Sequence, residues 1–153
     1  MQYDKKPLMK LNVGCGNDLL EGYINLDISK EVGADTVCDI RNGLPFNTDI
    51  FEEVIVNNVL TQILEPREFL YVMNELWRVT KGDIYIRVPN AKDICSFQDP
   101  MDCRRFTDQT FTYMEYKHRR YTQYGKHYGF KPFVVNLLED NGRQMSFKLT
   151  PKK

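Results

Sequence analysis

The chain has 153 residues, 42% hydrophobic and 27% charged, with only 7 Pro and 9 Gly; that supports one core without disulfides or a structural metal and excludes collagen-like or low-complexity chains. Its 21 basic and 21 acidic side chains cancel, which argues against a uniformly basic nucleic-acid binder. No apolar run approaches the roughly 20 residues of a membrane span, and MQYDKKPLMK has charge but no apolar leader region behind it.

Residues 10–13 (KLNV) read as a first strand that runs into Gly14-Cys15-Gly16. Residues 23–28 (YINLDI) alternate apolar and polar and read as a second strand. A short third covers 36–40 (TVCDI), and a fourth, rich in β-branched residues, covers 51–59 (FEEVIVNNV). The turn signal Asn42-Gly43-Leu44-Pro45 lies between them. Residues 66–80 carry the clearest helix. Pro66 suits its first turn, and Phe69, Val72, Met73, Leu76 and Trp77 recur at helical spacing as a core stripe. Gly82 reads as its left-handed cap. A fifth strand follows at 83–88, then an irregular stretch over 91–107. Thr107-Asp108-Gln109-Thr110 offers caps for a short helix near Phe111. Residues 131–138 and 144–149 form a hairpin around Asp140-Asn141-Gly142.

This order predicts an α/β fold: a Rossmann-like, mostly parallel sheet with a C-terminal antiparallel hairpin. The crossover helices are few and short. Only six residues separate Gly16 from Tyr23, whereas a full crossover helix needs about ten. One side of the sheet is therefore thinly covered. No repeat or composition break divides the chain, which reads as one domain over 1–153.

The chemistry concentrates at successive strand ends. Gly14 and Gly16 remove Cβ atoms from a turn where a ligand can approach the backbone. Asp27 ends the second strand, where a carboxylate can accept two ribose hydroxyls, and Asp39 ends the third at the same edge. A dinucleotide fingerprint fits poorly. Leu19 stands at the third glycine position, Asp27 comes too soon after Gly14, and no helix N-terminus is available for a pyrophosphate. A ligand carrying adenosine and an amino acid, without phosphates, fits better.

Cys15, Cys38, Cys95 and Cys103 form no CxxC pair, and with His118 and His127 they match no familiar metal spacing. No metal site is predicted, and the thiols read as reduced, in a cytoplasmic protein. Charge is uneven: residues 1–100 carry ten Lys and Arg against sixteen Asp and Glu, and residues 101–153 carry eleven against five. Residues 111–133 interleave eight aromatics with five Lys and Arg. That mixture suits a lid over the sheet edge, and also base stacking with phosphate contacts.

In LNVGCGNDLLEGYINLDI (11–28), VCDIRNGLPF (37–46), FEEVIVNNVLTQI (51–63), ELWRVTKGDIYIRVPN (75–90), DPMDCRRFTDQTF (99–111) and the final segment 128–152, the chain resembles the small class I S-adenosylmethionine-dependent methyltransferases. The resemblance covers nearly the whole chain and rests on the order and spacing of these segments. It implies S-adenosylmethionine as cofactor. Asn12, Gly14 and Gly16 would lie at the methionine half, Asp27 at the ribose, and Asp39 with the Ile40 backbone at the adenine. Asn57 and Asn58 would face the methionine moiety and the methyl group.

The chain departs from the pattern at several positions. Asn12 stands where an acid is common, Asp18 at the loop's third glycine, and Leu60-Thr61-Gln62 where relatives read Leu-Glu-His. Asp102 stands where relatives carry His, and Lys81-Gly82-Asp83 replaces a Pro-Gly-Gly turn. Methyl transfer mainly needs positioning and exclusion of water, and a base only where the nucleophile holds a proton. Asp102 and Asn58 are the catalytic candidates, with Asp99, His118 and His127 as further candidate bases. Asp99, Arg104, Arg105 and Tyr113 are the candidate substrate-side residues. The basic balance of the C-terminal part, with Arg104, Arg105, Arg119 and Arg120, favours a neutral or anionic acceptor; pairing of these arginines with the acidic N-terminal body is the competing reading. The methyl acceptor is not identified by the sequence. Two alternatives stay open: a cofactor-binding protein without transfer activity, and a nucleic-acid-binding module on the same sheet.

Overall fold

The computed structural model describes residues 8–153; most of the N-terminal segment inspected for a leader lies outside them. Seven strands form one sheet: β1 (Met9–Val13), β2 (Ile24–Asp27), β3 (Thr36–Val37), β4 (Phe51–Asn57), β5 (Thr80–Pro89), β6 (Phe133–Asp140) and β7 (Gln144–Pro151). Their order is β3-β2-β1-β4-β5-β7-β6. The first five run parallel, and β7 pairs antiparallel with both β5 and β6. The expected α/β sheet with its C-terminal antiparallel pair is thus the observed fold.

Among the described residues the longest helix is α1 (Pro66–Val79), and a shorter helical stretch over 119–128 carries a π-turn at Tyr121–Gly125. Pro66 begins α1, Glu68 sits in its first turn and Arg78 in its last, charges that complement the helix dipole. Phe69, Val72, Met73, Leu76 and Val79 form its buried stripe. Complete burial of each such side chain stabilises by about 1.5–3 kcal/mol. Trp77 packs beside the stripe, and its indole N–H donates to the Pro132 carbonyl at 2.8 Å. Glu75 accepts from the Leu44 amide, and Arg78 donates to the Leu44 and Phe46 carbonyls. The Glu75–Arg78 pair, 2.7 Å apart, therefore fastens the loop before β4 to the helix.

Gly82 is not a helix cap. The chain passes from Val79 directly into β5 at Thr80, which has φ −100° and ψ 127°. Gly82 lies within the strand, where a Cβ would stand 1.9 Å from the Glu52 carbonyl oxygen. Close backbone approach at an irregularity of β4–β5 pairing requires this glycine. The expected third strand is also shorter, because the backbone turns at Asp39 into a single 3₁₀ turn, Ile40–Asn42. The short helix expected near Phe111 is one 3₁₀ turn, Thr110–Tyr113. Thr107 and Thr110 bond locally within that turn instead of capping a helix.

The apolar core of the sheet lies on one face. Leu11, Val13, Val54, Val56, Ile84, Ile86, Val88, Met145, Phe147 and Leu149 are all at most 1% exposed. They lie beneath α1 and the segment 106–133. Phe106 stacks on Phe111, Phe111 meets Phe147 edge-on at 4.8 Å, and Phe69 contacts both Phe106 and Phe130. The opposite face presents Glu53, Ile55, Tyr85, Arg87, Ser146 and Lys148, none of them buried. No helix interrupts residues 14–23; the loop there covers only the β1–β2 end of this face, where the buried Asn12 donates to the Asp18 carbonyl and the buried Asn25 to the Leu20 carbonyl. Tyr23 reaches across and donates its hydroxyl to Glu53, which also pairs with Lys10. Burial, followed by that hydrogen bond, pushes the Tyr23 phenol up to about 12.

Candidate functional site

A cleft of about 470 Å³ opens at the carboxyl ends of β1, β2 and β4, the edge at which open α/β sheets take ligands. Gly14 and Gly16 form its floor. Both are left-handed, with φ +63° and +50°, and they serve different purposes. A Cβ on Gly14 would lie 2.2 Å from Val59 Cγ2, so this glycine lets the β1 loop close on the turn after β4. Gly16 has nothing within 4 Å and leaves open space.

Asp27 lines the cleft and shapes it. One carboxylate oxygen accepts from the Gly16 amide at 2.8 Å, and the other from Ser29 at 2.9 Å. The loop is thereby tied to the end of β2. A carboxylate has about four acceptor sites, so two protein donors leave room for ligand hydroxyls. Asp39 accepts from the Arg41 backbone at 3.0 Å and from its guanidinium at 2.7 and 2.9 Å. The Arg41 side chain holds the Asp39 carboxyl below its usual range. Arg41 also lines the cleft; its one signal in the sequence is the Asp39-Ile40-Arg41 spacing. Ile28, Ile40, Val59, Ile63 and Met101 supply apolar walls.

The expected cofactor residues do not all converge. Gly14, Gly16, Asp27, Asp39, Ile40 and Asn58 line the cleft; Asn12 and Asn57 do not. Asn12 is 4% exposed, with its amide donating to the Asp18 carbonyl and to Asn25. It braces the loop from beneath. Strand alternation puts Asn57 on the side opposite Val54 and Val56, away from the covered face. Asn58, at φ +54°, then turns into the cleft.

The substrate-side quartet separates. Asp99 is exposed and accepts from the Met101 amide at 2.9 Å. Asp102 accepts from the buried Thr61 hydroxyl at 2.6 Å. Met101, between them in sequence, lines the cleft, whereas neither Asp99 nor Asp102 does. Arg105 lies over the Phe97 ring at 4.3 Å and donates to the Asp102 carbonyl. Arg104 and Tyr113 line a different cavity, behind the 60–65 turn. No ion pair joins Arg104, Arg105, Arg119 or Arg120 to a carboxylate among the described residues, so pairing with the acidic body does not occur there. Of the candidate bases, His118 accepts from the Arg120 amide, and His127 belongs to the second cavity. Among the described residues no three His, Cys, Asp or Glu side chains gather as a metal cluster.

No protein-family model matches the chain. No curated protein matches it either. Solved structures do. The PH0226 protein of Pyrococcus horikoshii aligns with 99% of this chain and 85% of its own, at 18% identity and a TM-score of 0.66. A SAM-dependent methyltransferase of Archaeoglobus fulgidus aligns over 96% and 87%, at 14% identity and 0.65. Another, from Aquifex aeolicus, aligns over 95% and 82%, at 15% and 0.58. The strand order, the mixed sheet and these similarities define a class I SAM-dependent methyltransferase fold.

Proposed function

We propose that the chain binds S-adenosylmethionine in the cleft and transfers its methyl group to an acceptor presented beside Met101. The observation that carries this reading is the convergence of Gly16, Asp27, Asp39 and Asn58 on one cleft at the carboxyl edge of the sheet. The cleft volume suits a ligand of this size. When bound, the cofactor supplies a methyl group on a positively charged sulfur.

The chain's own residues do the rest. Asp27 takes the ribose hydroxyls, while its bonds to Gly16 and Ser29 hold the loop in place. Asp39, oriented by Arg41, accepts from the adenine amine, and Ile28 and Ile40 shield the ring from water. Asn58 contacts the amino-acid half or the incoming acceptor. Asn12 is a positioning residue that acts through the loop. Asp102, fixed by Thr61, accepts a proton where the acceptor carries one. No helix among the described residues is long and apolar enough to cross a membrane.

The test is transfer of radiolabel from methyl-labelled S-adenosylmethionine to fractionated cell extract by the full chain. Incorporation that vanishes in Asp27→Ala supports the reading. Cofactor binding with no label in any fraction identifies a binding protein without transfer activity.

A further inference from the structure

A second cavity, of about 500 Å³, lies between α1 and the segment 110–130, on the far side of the 60–65 turn from the cleft. Its floor is apolar: Phe69, Leu70, Met114 and Phe130. Tyr113 and Tyr128, near-parallel with centroids 6.4 Å apart, add aromatic surface. Three basic side chains line it, Arg67, Arg104 and His127, and no carboxylate does.

Arg104 is held rigidly here. Its Nε donates to the Ile63 carbonyl at 2.8 Å and its Nη2 to Leu64 at 3.1 Å, and its guanidinium lies 4.2 Å from the Phe69 ring centroid. Nη1 makes no hydrogen bond among the described residues, and no carboxylate there comes within ion-pair distance. A fixed, partly desolvated guanidinium without a counter-ion is a preorganised anion donor. Its surroundings select the rest of the ligand. Three of its five N–H groups, on Nη1 and Nη2, remain unpaired among the described residues and form an end-on fork that matches the two oxygens of a carboxylate. The aromatic and aliphatic floor suits a hydrocarbon body.

We propose that this cavity is a second ligand site, separate from the cleft, for a small aromatic or aliphatic carboxylate. The carboxylate meets Arg104 Nη1 and Nη2 with Arg67 at the rim, and the apolar body lies over Phe69, Leu70, Met114 and Phe130. This assignment does not depend on the methyl-transfer reading.

Calorimetric titration of the full chain with naphthalene-2-carboxylate, and separately with the neutral naphthalene-2-carboxamide, tests it. The expected result is saturable one-to-one binding of the carboxylate, weakened at least about tenfold for the amide. S-adenosylhomocysteine does not displace it. Leu70→Trp, which fills the cavity, abolishes binding. Arg104→Gln weakens it at least about tenfold; because Arg104 also braces Ile63 and Leu64, Arg67→Gln provides a second charge variant, and circular dichroism confirms that each variant is folded. Absence of saturable binding overturns the proposal. Equal affinity for carboxylate and amide, persistence in folded Leu70→Trp, or displacement by S-adenosylhomocysteine also overturns it.

Discussion

Replacing Gly14 by Ala separates two physical effects that the glycine loop combines. The left-handed backbone at φ +63° costs an L-residue roughly 1–2 kcal/mol. The new Cβ would also lie 2.2 Å from Val59 Cγ2, and relieving such an overlap costs about 1–3 kcal/mol more. Gly14→Ala is therefore expected to destabilise by about 2–5 kcal/mol in urea unfolding. Gly16→Ala carries only the backbone cost, roughly 1–2 kcal/mol, because no atom lies within 4 Å. The two also differ in coupling. In a double-mutant cycle with Val59→Ala, Gly14→Ala should recover at least about 1 kcal/mol, and Gly16→Ala should recover nothing. Equal destabilisation by the two glycine replacements, or no coupling between positions 14 and 59, would refute the packing argument.

Other perturbations give distinct outcomes. Asp27→Asn should lower S-adenosylmethionine affinity at least about tenfold and stability by about 1.5–3 kcal/mol, because a charged acceptor for two backbone amides is weakened; calorimetry and urea melts read both. Leu76→Ala, at a buried site, should cost about 2–5 kcal/mol with no effect on cofactor affinity beyond that of lost folded protein. Glu75 titrates below its ordinary value near 4.5, chiefly through the Arg78 hydrogen bond. Its contribution is complete above that value and is lost as pH falls through the lowered folded one. Wild-type stability should accordingly fall more steeply than that of Glu75→Gln on acidification below about 4.5, as followed by urea melts at stepped pH.

The sheet was legible because each strand carries a local signal: alternation in 23–28, β-branched residues in 51–59, and Asp140-Asn141-Gly142 between the last two strands. Asp27 and Asp39 were legible as a pair because topology sends successive parallel strand ends to one edge. Most of what was not legible depends on contacts distant in sequence. Gly82 follows a helix, so it reads as a cap; only the approach of Glu52 shows why a glycine is there. Asn57 and Asn58 are equivalent in composition, and the positive φ that separates them arises from the turn after β4. Arg104 and Tyr113 belong to one basic, aromatic stretch with Arg105, yet the 60–65 turn places them in a different cavity. The bidentate Arg41–Asp39 pair is short in range, but it depends on an arginine rotamer and on the 3₁₀ turn at Ile40–Asn42, neither of which two residues at this spacing specify.

Isothermal titration of the folded chain with S-adenosylmethionine and S-adenosylhomocysteine, repeated with Asp27→Ala, tests the central assignment most directly. The account predicts one-to-one binding of both ligands by the wild type. It also predicts at least about a tenfold loss in a variant whose circular dichroism spectrum is unchanged. Failure of the folded wild type to bind either ligand, or undiminished binding by Asp27→Ala, would contradict it.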